Sequence, residues 1–156
     1  MDYTEQEQRN LGVVKEYMEI SYDPKRASAD AVKHLVAQQS QFIAPSTFPE
    51  VHDCLQYAED HGKLMKAVNN LHITGYDVEF AKGDQVCLRY TAEGSHSGEP
   101  HGDIQPTHKK AHWSAAALFQ LTPDGKITKF VKEWNKLEMW QGLGWVSGEA
   151  ANLKLT

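Results

Sequence analysis

Apolar residues recur at every third or fourth position near the start of the chain: Leu11, Val14, Met18 and Tyr22 share one side, with Tyr17 beside them. That period predicts an amphipathic helix. Thr4 and Glu7 make a T-x-x-E capping box that opens it, and Asp23-Pro24 closes it, because proline disfavours the α conformation in the residue before it. A second helix is expected from Ser28, turning Val32, Leu35 and Val36 inward. FIAPSTFPE, with its two prolines, reads as an extended segment and a loop. A third helix, from about Asp53 to Val68, carries Leu55, Ala58, Leu64, Met65 and Val68. Its pattern is weaker, because Gly62 in the middle costs about 1 kcal/mol relative to alanine.

Beyond it the period changes to two. His72 to Phe80 alternates, AKGD is a turn, and Gln85 to Ala92 alternates again, which predicts a hairpin. AHWSAAALFQL is a long strand, TPDGK a turn and ITKFVKEWN the returning strand; LEMWQGLG makes one short amphipathic turn of helix. Helices first, then a meander of four long strands, is an α+β order, with helices covering one face of a curved sheet. Nothing divides the chain, so residues 1–156 are read as one domain with a core from about 10 to 144 and a loosely held tail over 145–156.

Composition narrows the classes. Hydrophobic residues make up 40% and charged residues 24%, the formal charge is −5, and the basic residues are scattered. No electrostatic footprint for nucleic acid or for a membrane surface results, and no apolar run approaches the roughly 20 residues of a membrane span. The N-terminus lacks a positive region and an apolar region, so a cytoplasmic location is expected. Cys54 and Cys87 are expected to be reduced, buried spectators.

Four of the eight histidines, His96, His101, His108 and His112, fall between Gly94 and Trp113. His108 and His112 are spaced i, i+4, which on a helix would present one metal-binding face. The alternation after Pro106-Thr107 makes this a strand instead, and strand spacing sets the pair about 13 Å apart, too far for one ion. No metal site is expected.

The order of these segments resembles a known family. GSHSG (94–98) followed by Pro106-Thr107 is similar to the G-T-H-x-G…P-T-G segment of the SnoaL-like polyketide cyclases and ester cyclases of the nuclear-transport-factor-2-like superfamily. AKGDQVCLRYTAEGSHSG resembles the strand pair that carries that segment. FQLTPDGKITKFVKEWNKLEMWQGLG resembles the family's D-G-K-I…E-W-D…L…Q-L-G ending, and the helix over Tyr57 to Val68 fits the family helix before the first long strand. The resemblance runs from about Asn10 to Gly144. It implies a cone-shaped α+β barrel, a strongly curved and mainly antiparallel sheet wrapped on N-terminal helices and enclosing an apolar pocket. It also implies a hydrophobic small-molecule substrate, no metal or organic cofactor, and a homodimer through the outer sheet face. Independently, alternation puts Trp113, Ala115, Ala117 and Phe119 on one face of their strand and Phe130, Lys132 and Trp134 on one face of the next. Those residues, with Tyr17 and His96, are candidate pocket lining as well as ordinary core.

In the cyclases of this family an aspartate on the last strand is the general acid/base for an intramolecular aldol closure. Here the matching positions are Lys132 or Asn135, depending on register, while Glu133 matches the family glutamate but faces away from Lys132 and Trp134. Lys132 has three readings: a desolvated base or Schiff-base former, a hydrogen-bond donor to a substrate carbonyl, or a solvated, salt-bridged lysine at the strand edge. Glu133 is a catalytic candidate or a solvated carboxylate. Asn135 holds a substrate oxygen or caps the LEMW turn. His96 is a structural or a rim histidine, and His101 is the one best placed to meet a ligand at the mouth, or else a solvated loop histidine. His108 replaces the family's P-T-G glycine, so a different turn is expected there. Three functions stay open: a cofactor-independent cyclase or isomerase of a polycarbonyl compound, a non-catalytic pocket protein, and a hydrolase or dehydratase on the same fold.

Overall fold

The computed structural model describes residues 2–146. Helix α1 spans Glu5–Ser21, a short α2 covers Ala29–Val32 and runs into a 3₁₀ turn at Lys33–Leu35, and α3 spans Cys54–Ala67. Strands β1 (Val36–Ile43), β2 (Val68–Lys82), β3 (Gln85–His96), β4 (Lys110–Leu121) and β5 (Ile127–Trp134) form one sheet, and α4 (Lys136–Gly142) follows. The capping box opens α1 as expected: the Thr4 hydroxyl accepts from the Glu7 amide while the Glu7 carboxylate accepts from the Thr4 amide. None of the described helices is long and apolar enough to cross a membrane.

The sheet order is β1-β5-β4-β3-β2, antiparallel throughout β2 to β5 and parallel between β1 and β5. The fold is therefore α+β with a five-strand mixed sheet, not a four-strand meander. The added strand is β1, in a stretch the sequence assigned to the end of a helix and the start of an extended segment and loop. The predicted second helix is correspondingly short, and Val36 opens the strand.

Alternation on the long strands decides which face is dry. Val86, Leu88, Tyr90, Ala92 and His96 on β3, and Ala111, Trp113, Ala115, Ala117, Phe119 and Leu121 on β4, are all buried beneath the helices. Two glycines of the family segment are there for close approach. A Cβ at Gly94 would stand 2.7 Å from the Val68 side chain, and one at Gly98 would stand 2.0 Å from the Lys66 carbonyl oxygen. Gly94 lies inside β3, so it permits strand β2 to cross closely rather than making a turn. His108 holds a left-handed φ of 58°, a conformation glycine adopts at no steric cost.

The expected loose tail falls outside the described residues except at its start. Trp145 is tied down: its indole Nε1 donates to His96 Nδ1 at 3.0 Å, and its ring stacks on His101 at 4.0 Å. Both cysteines are free; Cys54 is buried, but Cys87 is only half-buried, on the outer sheet face. Burial pushes the Cys54 thiol up to about 12, which makes it inert.

Candidate active site

Register alone puts Lys132 inside. On β4 and β5 the pairs are Ala117 with Lys132 and Ala115 with Trp134, and on the other side Leu88 pairs with Ala117 and Tyr90 with Ala115. Two alanines thus separate large side chains on neighbouring strands and leave room for the lysine stem to run along the dry face. Lys132 is 2% exposed. It is not the solvated strand-edge lysine that sequence reasoning allowed, because the parity of β5 places it in line with Phe130 and Trp134.

Its ammonium is held by aromatic groups. Nζ donates to the hydroxyl of Tyr57 at 3.1 Å and of Tyr22 at 3.3 Å. The rings of Trp134, Tyr57, Phe48 and Tyr22 have their centroids 5.1 to 5.8 Å away, within cation–π range. No carboxylate among the described residues lies within ion-pair distance of it. The Tyr22 hydroxyl also shares a hydrogen with that of Tyr90 at 3.0 Å. Burial raises the Tyr57 and Tyr90 hydroxyls well above the usual tyrosine range, so both stay protonated.

His61 completes the cluster from α3. It is buried, its ring 4.3 Å from that of Tyr22 and 5.5 Å from that of Tyr57. Nδ1 lies 2.6 Å from the Ser21 carbonyl oxygen. A carbonyl only accepts, so Nδ1 carries the hydrogen and Nε2 keeps its lone pair. Burial, and secondarily the charge of Lys132, pushes its pKa down to about 3, so the ring is neutral near pH 7.

The donors here outnumber the acceptors. An ammonium has three N–H groups and each tyrosine one O–H. Two of the lysine donors and one tyrosine hydrogen are used within the cluster, and Tyr57 finds no acceptor for its own among the described residues. A dry surplus of donors beside a bare imidazole nitrogen is suited to an oxygen that carries or gains negative charge. Lys132, Tyr22 and His61 face a chamber of about 10 Å³, walled also by Phe48, Leu64, Trp113, Trp134 and Met139, with Tyr57 reaching it through its hydrogen bond to Lys132.

The other candidates are placed elsewhere. Trp113 and Trp134 line the chamber. Tyr17, Phe119 and Phe130 instead fill the space between α1 and the sheet: Phe119 and Phe130 stack at 4.3 Å, Tyr17 meets both edge-on, and its hydroxyl donates to the Cys54 carbonyl. Ala115 and Ala117 are buried spacers. Glu133 is exposed on the outer face. Asn135 caps α4, its side chain accepting from the Glu138 amide. His96 is fully buried and bonded through both ring nitrogens, to the Glu99 carbonyl and to Trp145. His101 lies flat on Trp145, outside the set that lines the chamber. Among the described residues, no cluster of three or more His, Cys, Asp or Glu is placed to hold a metal ion.

Sequence reasoning missed Tyr22, Tyr57, Tyr90 and His61 as site residues. The signal was present in α3, where Cys54, Tyr57, Ala58, His61 and Met65 recur at helical spacing and are all buried, putting a histidine on the apolar stripe.

Comparison with known proteins agrees with this architecture. A protein from Jannaschia sp. CCS1 described as a SnoaL-like polyketide cyclase superposes with a TM-score of 0.76 at 15% identity, covering 94% of this chain and 99% of its own. AclR of Streptomyces galilaeus, described as a hydroxylase, gives 0.71 at 18% identity, over 90% and 98%. An LEH-like epoxide hydrolase of M. tuberculosis gives 0.62 at 13% identity, over 89% and 92%. These likenesses establish a common fold. No curated protein sequence matches the chain. The family model for the SnoaL-like polyketide cyclase matches residues 13–143, and the chain belongs to that family.

Proposed function

We propose that the chain is a cofactor-independent acid/base enzyme, a cyclase or isomerase of an enolisable polycarbonyl small molecule. The observation that carries this reading is the buried donor surplus at Lys132, with no carboxylate among the described residues to neutralise it. The missing counter-ion is then the substrate's own enolate. Its oxygen is held by Lys132 Nζ and the Tyr57 hydroxyl, while the ring walls accept the flat conjugated skeleton.

His61 takes over the aspartate's task in this scheme. Its Nε2 accepts a proton from a carbon flanked by two carbonyls, and the electron pair spreads onto the oxygen at Lys132. A base this weak suffices only because the same ammonium lowers the pKa of the bound substrate. For cyclisation, the enolate carbon attacks a second carbonyl carbon, and the new alkoxide takes a proton from Lys132 or Tyr57. His61 then returns its proton through the tyrosine cluster, so the enzyme ends as it began. For isomerisation, the proton returns to a different carbon.

The test follows the enol absorbance of benzoylacetone, an aryl β-diketone, as it converts to the diketone. The native protein should accelerate this conversion and Lys132→Met should not. A Lys132→Met variant as active as the native protein would sink the reading. Mass spectrometry of small molecules co-purifying with the native protein, compared with Lys132→Ala and His101→Ala, then identifies the natural ligand class; retention should fail in the first variant only.

We also infer a homodimer. Phe80, Cys87, Leu118, Val131 and Ile43 pair in register across all five strands on the outer face. Phe80, Leu118 and Ile43 are 41%, 49% and 38% exposed. An apolar row of that length across a sheet supports coverage by a second copy.

A further inference from the structure

A chamber of about 10 Å³ has room for on the order of one water molecule. No organic substrate reaches Lys132 until a wall moves. Of the side chains that wall the chamber, only Tyr22 also faces a groove of about 800 Å³ between α1 and the first half of β2.

That groove is built by irregularity in β2. The strand slips its register with β3 between Asn69 and His72, between Ile73 and Gly75, and between Tyr76 and Val78. Asn70 adopts a left-handed φ of 54°. Bulges bend a strand and strengthen its local twist, and here they occur where β2 lines the groove with Leu71, Ile73 and Tyr76, opposite Met18 of α1. The rim charges are paired with one another: Arg26 with Asp23 and Glu19, and Lys15 with Glu79. An apolar floor with a self-neutralised rim suits an uncharged, apolar occupant.

Tyr22 stands at a helix end on this side. It is the C-cap of α1, at φ −101° and ψ 9°, just beyond the last helical turn and next to the Asp23-Pro24 bend. Phe48 and Trp134, which border smaller hollows of about 330 and 460 Å³, are stacked on each other at 5.6 Å, and Phe48 also meets Phe42 and Tyr57 edge-on.

We infer that Tyr22 is the gate between this groove and Lys132, and that the groove holds the non-reacting apolar part of the substrate. This rests on the reading of Lys132 as the enolate site and adds to it a route and a determinant of substrate length. When Tyr22 swings aside, its hydroxyl leaves Tyr90 and Lys132 together, so entry and exposure of the ammonium are one event. Ile73 and Gly75 then decide how long a tail is accepted.

Gly75 makes the inference testable without disturbing the core, because a Cβ built there meets nothing within 4 Å. Isothermal titration calorimetry measures binding of benzoylacetone and of benzoylacetone bearing a long para-alkyl chain. Gly75→Trp and Ile73→Trp should weaken the long ligand at least tenfold and leave the short one within twofold, with folding checked by circular dichroism. Pro45→Trp, beside the hollow at Phe48, should change neither. The inference is overturned if Pro45→Trp excludes the long ligand, or if Gly75→Trp and Ile73→Trp treat both ligands alike while Lys132→Met abolishes binding. Failure of the enolate reading looks different: Lys132→Met then binds both ligands like the native protein, or the native protein binds neither.

Discussion

Replacing Tyr57 with phenylalanine isolates one atom of the proposed site. The ring is fully buried and packs on Phe42 at 4.8 Å and Phe130 at 5.0 Å, contacts that phenylalanine keeps. What is lost is the oxygen that accepts from Lys132 at 3.1 Å, leaving the lysine only the longer bond to Tyr22 at 3.3 Å. A hydrogen bond to a charged group contributes about 1.5–3 kcal/mol. Stability should therefore fall by about 2 kcal/mol, a drop of roughly 4–8 °C in Tm for a chain of this size. Burial keeps the hydroxyl protonated well above the usual tyrosine range, so it does not titrate in either state at neutral pH. The stability difference should accordingly be flat between about pH 6 and pH 9. If the same hydroxyl steadies the enolate oxygen, kcat for benzoylacetone ketonisation should fall about 10²–10³-fold, the usual effect of removing one such donor. Urea melts at several pH values and initial rates measure both. Unchanged kcat with the expected loss of stability would leave Tyr57 a structural partner of Lys132 and refute its role in catalysis.

Acid should act through His61. Its folded pKa is lowered from 6.5 to about 3, so the unfolded chain binds a proton that the folded one refuses. The stability from this group is complete above about pH 6.5 and is lost as pH falls toward 3, at about 1.4 kcal/mol per unit; urea melts of His61→Asn should show a flatter slope across that window. Gly62→Ala should destabilise despite the helix propensity of alanine. The new Cβ would stand 2.5 Å from the Ala27 carbonyl oxygen, and overpacking of about 1–3 kcal/mol exceeds the roughly 1 kcal/mol of propensity gained; a higher Tm for the variant would refute this. Leu118→Glu, at the centre of the outer apolar row, should yield monomers by light scattering while leaving the chamber intact.

Much of the scaffold could be read from the chain, because long strands with one dry face advertise themselves. Alternation on β4 and β5 put Trp113 through Phe119 and Phe130 through Trp134 on the faces they occupy, and it forced Lys132 inside against the ordinary preference of lysine for water. Strand β1 escaped notice because Gln38, Gln39, Ser40 and Gln41 fill its centre and only Val36 and Phe42 are buried. An edge strand needs little apolar signal, since it is held by its ladder to β5. The site was harder to read for another reason. Tyr22, Tyr57, His61 and Tyr90 come from α1, α3 and β3, and each looks in isolation like one more member of an apolar stripe. Only the packing of helices on the sheet brings their polar atoms to one point. In the histidine-rich stretch, His96 bonds to Trp145 and His101 stacks on it.

The parallel pairing of β1 with β5 also governs the order in which the molecule can become itself. Strand β1 leaves the ribosome early, yet its partner ends at Trp134, so through most of synthesis β1 has no ladder to join. Strand β4 waits beside it with an equally open edge until β5 slots between the two. The nascent chain therefore carries two unsatisfied strand edges for as long as β5 is missing, the configuration most prone to stray pairing with other chains. Lys132 arrives on that same last strand. The segment that closes the sheet also delivers the buried lysine, so an incompletely made protein lacks the centre of the aromatic cluster.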